Sequence, residues 1–273
     1  MACRLEMESS IMNVDRRPEH RFRFRRATVL FAVICGVSVA FHLENASAVE
    51  ITEVSWGFDG KPVKNRFNLL CIDVDNSSQD IFEGQFQLRK RTSLGSSLGA
   101  FLTKDVFLVP GQRSLLRFYP YVTDPEETWL LSWGDGKSLE LKAPKECGPR
   151  ARVVLTKDLL SSLTLSNVKS FPEDHFPPMV SATSALHSVL LDHVPADWTE
   201  PVRRAFREWI ELGGEVHVFQ DEDGKFPSFK NELVGLNAPL DVFPLGGGTV
   251  YRYRKPLNNA TASKLKTAAP RKA

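Results

Sequence analysis

The sequence predicts an exported chain with two folded parts: an all-β domain of the immunoglobulin-like sandwich kind, then a small α/β domain. Three observations predict it. The chain opens with a basic, then apolar, then small-residue run. Residues 49–143 alternate apolar and polar side chains, with turn signals roughly every 8–12 residues. Residues 151–255 contain one well-marked strand–helix–strand unit. A length of 273 residues, 42% hydrophobic and 25% charged, suits a globular chain and argues against disorder.

The export signal comes first. Arg16, Arg17, Arg21, Arg23, Arg25 and Arg26 precede an apolar run from Ala27 to Phe41, and Ala46-Ser47-Ala48 follows. That order is a secretory signal peptide cut after Ala48, occupying residues 1–48. The rival expectation is an uncleaved anchor formed by 27–43, which has close to the minimum length for a span. Residues 1–48 carry seven of the 35 basic and five of the 33 acidic side chains, so the remainder holds 28 of each sign. A neutral mature chain lacks the basic footprint that nucleic-acid binding needs. Membrane contact is expected only if the 27–43 run is retained.

Within 49–143, Ile51, Val54 and Trp56 mark a first strand, and Leu70, Ile72 and Val74 alternate with Cys71, Asp73 and Asp75. Phe82, Phe86 and Leu88 continue the pattern. Val106–Val109 precede a Pro110-Gly111 turn, and Leu115, Leu116 and Phe118 follow it. Trp129–Trp133, then Gly134-Asp135-Gly136, then Leu139 and Leu141 read as a hairpin. Residues 144–150 are a polar linker. Arg152–Leu155 is a short strand, 158–163 a helical turn or two, and Phe171–Pro178, with three prolines, a loop.

Ala185–Leu191 is a near-continuous apolar strand, as in a parallel sheet buried on both faces. The clearest helix follows, capped by Asp197 or Thr199, with Glu200 completing a capping box and Pro201 in the first turn. Val202, Phe206 and Trp209 form its apolar stripe, with Ala205 and Leu212 beside it, and Gly213-Gly214 ends it. Glu215–Phe219 completes a βαβ unit. Gly248–Tyr253 is a last strand, and 256–273 reads as a disordered tail.

The segment LHSVLLDHVPADWTEPVRRAFREWIELGGEVHVF, Leu186–Phe219, resembles the glutamine-amidotransferase-like (flavodoxin-like) domain of bacterial cell-envelope proteins. There, too, an apolar strand ends in an acidic residue, a helix carries an L..W...GG pattern, and a short strand follows. A β-rich domain in front is also similar to such proteins. The resemblance covers 150–255 at most. It implies a degenerate class I domain, because the family's nucleophilic Cys is missing from Phe219-Gln220-Asp221-Glu222-Asp223-Gly224. The family's downstream His is missing as well, since the last His here is His217. A nucleophile without a base is poorly activated, and this chain lacks both. The resemblance therefore implies a non-catalytic binding or assembly protein of the periplasm or envelope, with envelope or membrane proteins as partners and no cofactor.

Other motifs are weaker. Gly95-Ser96-Ser97-Leu98-Gly99 matches the nucleophile elbow G-x-S-x-G, but no strand–helix context surrounds it, so a hairpin loop is expected. Asp221–Gly224 lacks calcium-loop spacing. Gly246-Gly247-Gly248 has no following helix to make a phosphate cradle. His187, His193 and His217 show no zinc spacing, and no metal is expected. Trp129 and Trp133 share one strand face and are expected in the core, sugar stacking being the alternative. Asp192, His193, Gln220, Asp221 and Asp223 fall at the carboxyl ends of parallel strands, where doubly wound sheets bind ligands. A hydrolase using the crevice around Asp192 and His193 is the rival function, and a carbohydrate-binding module on the sandwich a third. Cys71 and Cys147, left after signal removal, are either a disulfide or two unrelated thiols.

Overall fold

The computed structural model describes residues 49–257 except 93–94, 125–126, 135, 143, 145 and 158–167. The expected export signal at 1–48, Asp135, the expected turn at 158–163 and the expected tail beyond residue 257 lie outside the described residues. Those described fall within one compact unit, Ala46–Ala273. The described residues are rich in β-structure.

Nine strands occupy the first part: β1 (Val49–Trp56), β2 (Arg66–Phe67), β3 (Leu70–Asn76), β4 (Phe82–Arg91), β5 (Ser97–Leu108), β6 (Arg113–Phe118), β7 (Tyr121–Val122), β8 (Thr128–Trp133) and β9 (Lys137–Lys142). All pair antiparallel. The seven long strands form two sheets, β1-β3-β6 and β5-β4-β8-β9, and β2 pairs with β7. Period-two alternation sends Leu70, Ile72 and Val74 to an apolar cluster shared with Phe86, Leu88, Leu131, Trp129 and Trp133 of the facing sheet. Gly95–Gly99 spans the β4–β5 hairpin loop and the start of β5, with no helix behind it.

The second part is one six-stranded sheet, made of β10 (Ala151–Thr156), β11 (Lys169–Pro172), β12 (Leu186–Leu191), β13 (Glu215–Gln220), β14 (Val242–Leu245) and β15 (Gly248–Pro256). Its order is β11-β10-β12-β13-β15-β14. All neighbours are parallel except β14, which pairs antiparallel with β15. The sequence had marked neither β11 nor β14. The chain steps from β10 outward to β11, then returns to β12 on the other side, so the strand order reverses at β10.

Helix α1 (Glu200–Glu211) joins β12 to β13. Ala205, Phe206 and Trp209 are buried, as the stripe predicted, and Ile210, which the stripe had not included, is buried too; Leu212 is 77% exposed because it lies past the last turn. Thr199 is the N-cap, yet no side chain caps the helix and the capping box does not form. Pro201 explains the tolerance, since one of the orphan N–H groups is simply absent. Gly213 ends the helix at φ +112°, a backbone that other residues resist. The three-glycine turn serves packing: a Cβ on Gly248 would stand 2.1 Å from the Ile210 carbonyl oxygen, so only glycine lets the β14–β15 hairpin meet the end of α1.

The core does not break at 144–150. Phe58, Val63, Leu69 and Cys71 belong to the same cluster as Val153, Phe171, Phe176, Phe206 and Val216. Strand β3 is therefore covered on both faces. This separates the two cysteines, and the disulfide is not formed. Cys71 faces the parallel-sheet side of β3, whereas Cys147 packs against the cluster on its opposite face, and both are free thiols. Burial pushes the Cys71 thiol up to about 12, so it is inert.

Candidate functional site

Parallel strands end on a common side, and two of these ends meet in space. Asp192 and His193 follow β12, and Glu173 follows β11. Strand β10 lies between them in the sheet. The contact therefore crosses the carboxyl end of β10, the reversal point where open α/β sheets place their ligand crevice.

His193 is held at both nitrogens. Its Nδ1 lies 2.7 Å from Asp192 Oδ1, and its Nε2 lies 2.7 Å from Glu173 Oε2. Burial works against a charge on this ring, but its hydrogen bonds to the Asp192 and Glu173 carboxylates outweigh it and hold the pKa above the usual histidine value. The protonated ring has two donors and no acceptor, which matches two carboxylates.

Glu173 is only 5% exposed. It begins a 3-10 turn, Glu173–His175, entered from Pro172. The Trp198 indole N–H donates to its backbone carbonyl at 2.7 Å. Trp198 in turn packs on Phe176 and Phe206, with ring centroids 4.9 and 5.0 Å apart. Arg203, on α1, donates to the Trp198 carbonyl and to Glu232. The buried acid is thus fixed through aromatic packing, and a rigid support keeps the ring in one geometry.

The remaining expected residues do not join this cluster. Asp221 closes its own turn: its Oδ1 accepts from the Lys225 N–H at 2.7 Å, and its carbonyl accepts from Gly224. Asp223 is exposed, 4.0 Å from the Lys225 ammonium. Gln220 ends β13, partly buried, and no hydrogen bond links it to His193. Glu173 was missed in the sequence. It lies 20 positions before His193, in a proline-rich loop without periodicity. The one available signal was an acid directly after a short apolar run.

The other histidines are placed differently. His217 is 3% exposed, its Nδ1 is 3.1 Å from the Tyr253 hydroxyl, and its ring stacks on Tyr251 at 4.9 Å. Burial, with the charges of Arg152 and His187, pushes its pKa down to about 3. His187 Nε2 is 3.7 Å from Glu215 Oε2, and burial lowers its pKa despite Glu215. Among the described residues, no group of three or more His, Cys, Asp or Glu side chains is arranged to hold a metal ion. No helix among them is long and apolar enough to cross a membrane.

No protein-family model matches this sequence, and no curated protein matches it. Some solved structures overlap with it slightly. The alkylpurine DNA glycosylase AlkC of Pseudomonas fluorescens, bound to DNA containing an abasic site analogue, is 12% identical over 36% of this chain and 31% of its own, with a TM-score of 0.27. The C-terminal domain of Wzt is 14% identical over 35% and 67%, also at 0.27. A cycloisomaltooligosaccharide glucanotransferase of a Paenibacillus species, complexed with cycloisomaltoheptaose, is 9% identical over 62% and 28%, at 0.29. The chain thus spans about a third of the length of the first and third of these. Overlaps so slight leave the functional reading to the site's own geometry.

Proposed function

We propose that this is an exported, non-catalytic binding or assembly protein of the cell envelope, with an immunoglobulin-like domain in front of a degenerate amidotransferase-like, flavodoxin-like domain. Two strand orders support the fold reading. Numbered within its own part, the parallel sheet runs 2-1-3-4 and then closes with a hairpin, which agrees with the flavodoxin-like order. The long antiparallel strands run 1-2-5 and 4-3-6-7. This supports an immunoglobulin-like reading, since it differs from the constant-type order only in the fourth strand, which lies in the other sheet. The export signal at 1–48 and envelope partners complete the reading.

One observation carries the non-catalytic part: both nitrogens of His193 are engaged by carboxylates. Asp192 on Nδ1 is the arrangement of a catalytic dyad, and it is what favours the hydrolase alternative. Glu173, however, occupies Nε2, the nitrogen that would take a proton from a nucleophile. The cluster instead offers a fixed, partly exposed carboxylate and imidazole edge for a partner's polar groups. The carbohydrate alternative loses its expected platform, because Trp129 and Trp133 are 4% and 9% exposed.

Purified protein assayed with glutamine and with nitrophenyl esters tests this. The expected result is no turnover above that of His193→Ala. Turnover that His193→Ala or Asp192→Ala abolishes would establish the hydrolase instead. Export is read by intact mass: a product beginning at Val49 is expected, and one retaining 27–43 identifies an anchored protein.

A further inference from the structure

A second polar feature lies away from the His193 cluster. Between β1 and β3 on one side and the outer edge of β11 on the other is a cavity of about 240 Å³. Phe58, Asp59 and Cys71 line one side, and Lys169, Phe171 and His175 the other. The rings of Phe58 and Phe171 lie 5.0 Å apart and form an apolar wall. The Cys71 thiol, held neutral by burial, extends it.

Two opposite charges face this space without meeting. Asp59 is partly buried, and its side chain accepts backbone N–H groups, that of Lys61 at 3.2 Å and its own. No cationic side chain among the described residues forms an ion pair with it. Burial accordingly raises its pKa, against the Lys61 amide and the charges of Lys61 and Lys169. Lys169 contributes to that field from beyond ion-pair distance, and it too has no ion-pair partner among the described residues. Of the other acids lining the cavity, Asp73 is taken by Arg113 at 3.3 Å and Glu53 is exposed. A carboxylate and an ammonium separated by an apolar-walled space complement a molecule carrying the reverse charges. A singly charged ligand would leave one of them unmatched. The volume is below the roughly 300–1,000 Å³ of sites for drug-sized ligands, which limits the occupant to a small metabolite.

We propose that this cavity binds a small apolar α-amino acid, with its ammonium on Asp59, its carboxylate on Lys169 and its side chain against Phe58 and Phe171. Titration calorimetry of the purified full-length chain tests this with L-leucine as probe. L-leucine methyl ester, which lacks the carboxylate charge, and N-acetyl-L-leucine, which lacks the ammonium, are the controls. Saturable binding of leucine is expected, weakened about tenfold or more in either control and in Asp59→Asn and Lys169→Gln. Asp59→Asn keeps an acceptor for the Lys61 amide, and Lys169 is exposed, so both variants should fold. The proposal is overturned if leucine and valine show no saturable binding at about 10 mM. It is equally overturned if the methyl ester binds as well as leucine, or if both variants bind undiminished.

Discussion

In the antiparallel part the buried polar side chains include Asn68 and Asn76, and both serve mainly the backbone. Asn68 donates to the carbonyls of Val63 and Arg66 and accepts from the Val63 N–H. Asn76 donates to the carbonyls of Asp80 and Leu108. In the parallel part the buried polar side chains include Glu173 and His217, and these meet other side chains across strands. Neutral amides close turns and respond to nothing in solution. Ionisable groups brought together from separate strands respond to pH and present charge, so the candidate chemistry belongs to the parallel part. Burial alone does not mark a site; the kind of partner does.

The largest expected effect tests whether the two parts share a core. Phe58→Ala removes a ring that packs on Phe171 and Phe176 across the junction. It should lower stability by about 3 kcal/mol in a single cooperative denaturant transition. Two transitions, only one of them shifted, would mean that the parts unfold independently. Next come the two kinds of buried polar group. Glu173→Gln should cost about 2 kcal/mol at pH 6 and less in alkali. In NMR titration it should bring the His193 pKa back toward its ordinary value. Asn68→Ala should cost a similar amount at every pH. Equal pH dependence in both variants would dissolve the contrast.

The histidines sharpen it further. His193 has a raised pKa in the folded protein, so its stabilisation is complete below the unfolded value and is lost as pH rises through the folded one. His217 is depressed to about 3, so the unfolded chain takes up its proton first and stability falls as pH drops from the ordinary histidine value toward 3. Together they place a stability maximum near pH 6.5, about the free histidine value. His217→Phe should flatten only the acid side, and His193→Gln only the alkaline side, of a denaturation-versus-pH profile. The smallest effects lie on the wet face of α1. Arg207→Ala, which breaks a 2.8 Å pair with Glu211, should cost about 0.3–0.5 kcal/mol and less at high salt. Leu212→Lys should stay within about 0.5 kcal/mol, since that side chain already faces water.

Two of the three residues of the candidate cluster were legible in the sequence. Asp192 and His193 stand at the end of an apolar run, and a parallel strand's carboxyl end is a known place for ligands. Glu173 was not legible, because its relation to His193 depends on β11 lying on the far side of β10. Asp221 and Asp223 looked equally well placed by the same rule. The turn closed by Lys225 takes Asp221 out of the crevice, and nothing in a three-residue acidic run announces that. The Cys71–Cys147 pairing failed for a related reason: a count of thiols does not say on which face of β3 each one packs.

Taken by itself, the sequence determined the local elements: the alternation of β3, the span of α1, and the stop at Gly213. Each depends on residues two to four positions apart, which contend directly for the same backbone bonds and the same buried face. Only the tertiary structure decided the strand order, the acid that reaches His193, the shared core across 144–150 and the close approach that requires Gly248. These join residues far apart in the chain, and such contacts are set by how whole sheets pack rather than by any period along the chain.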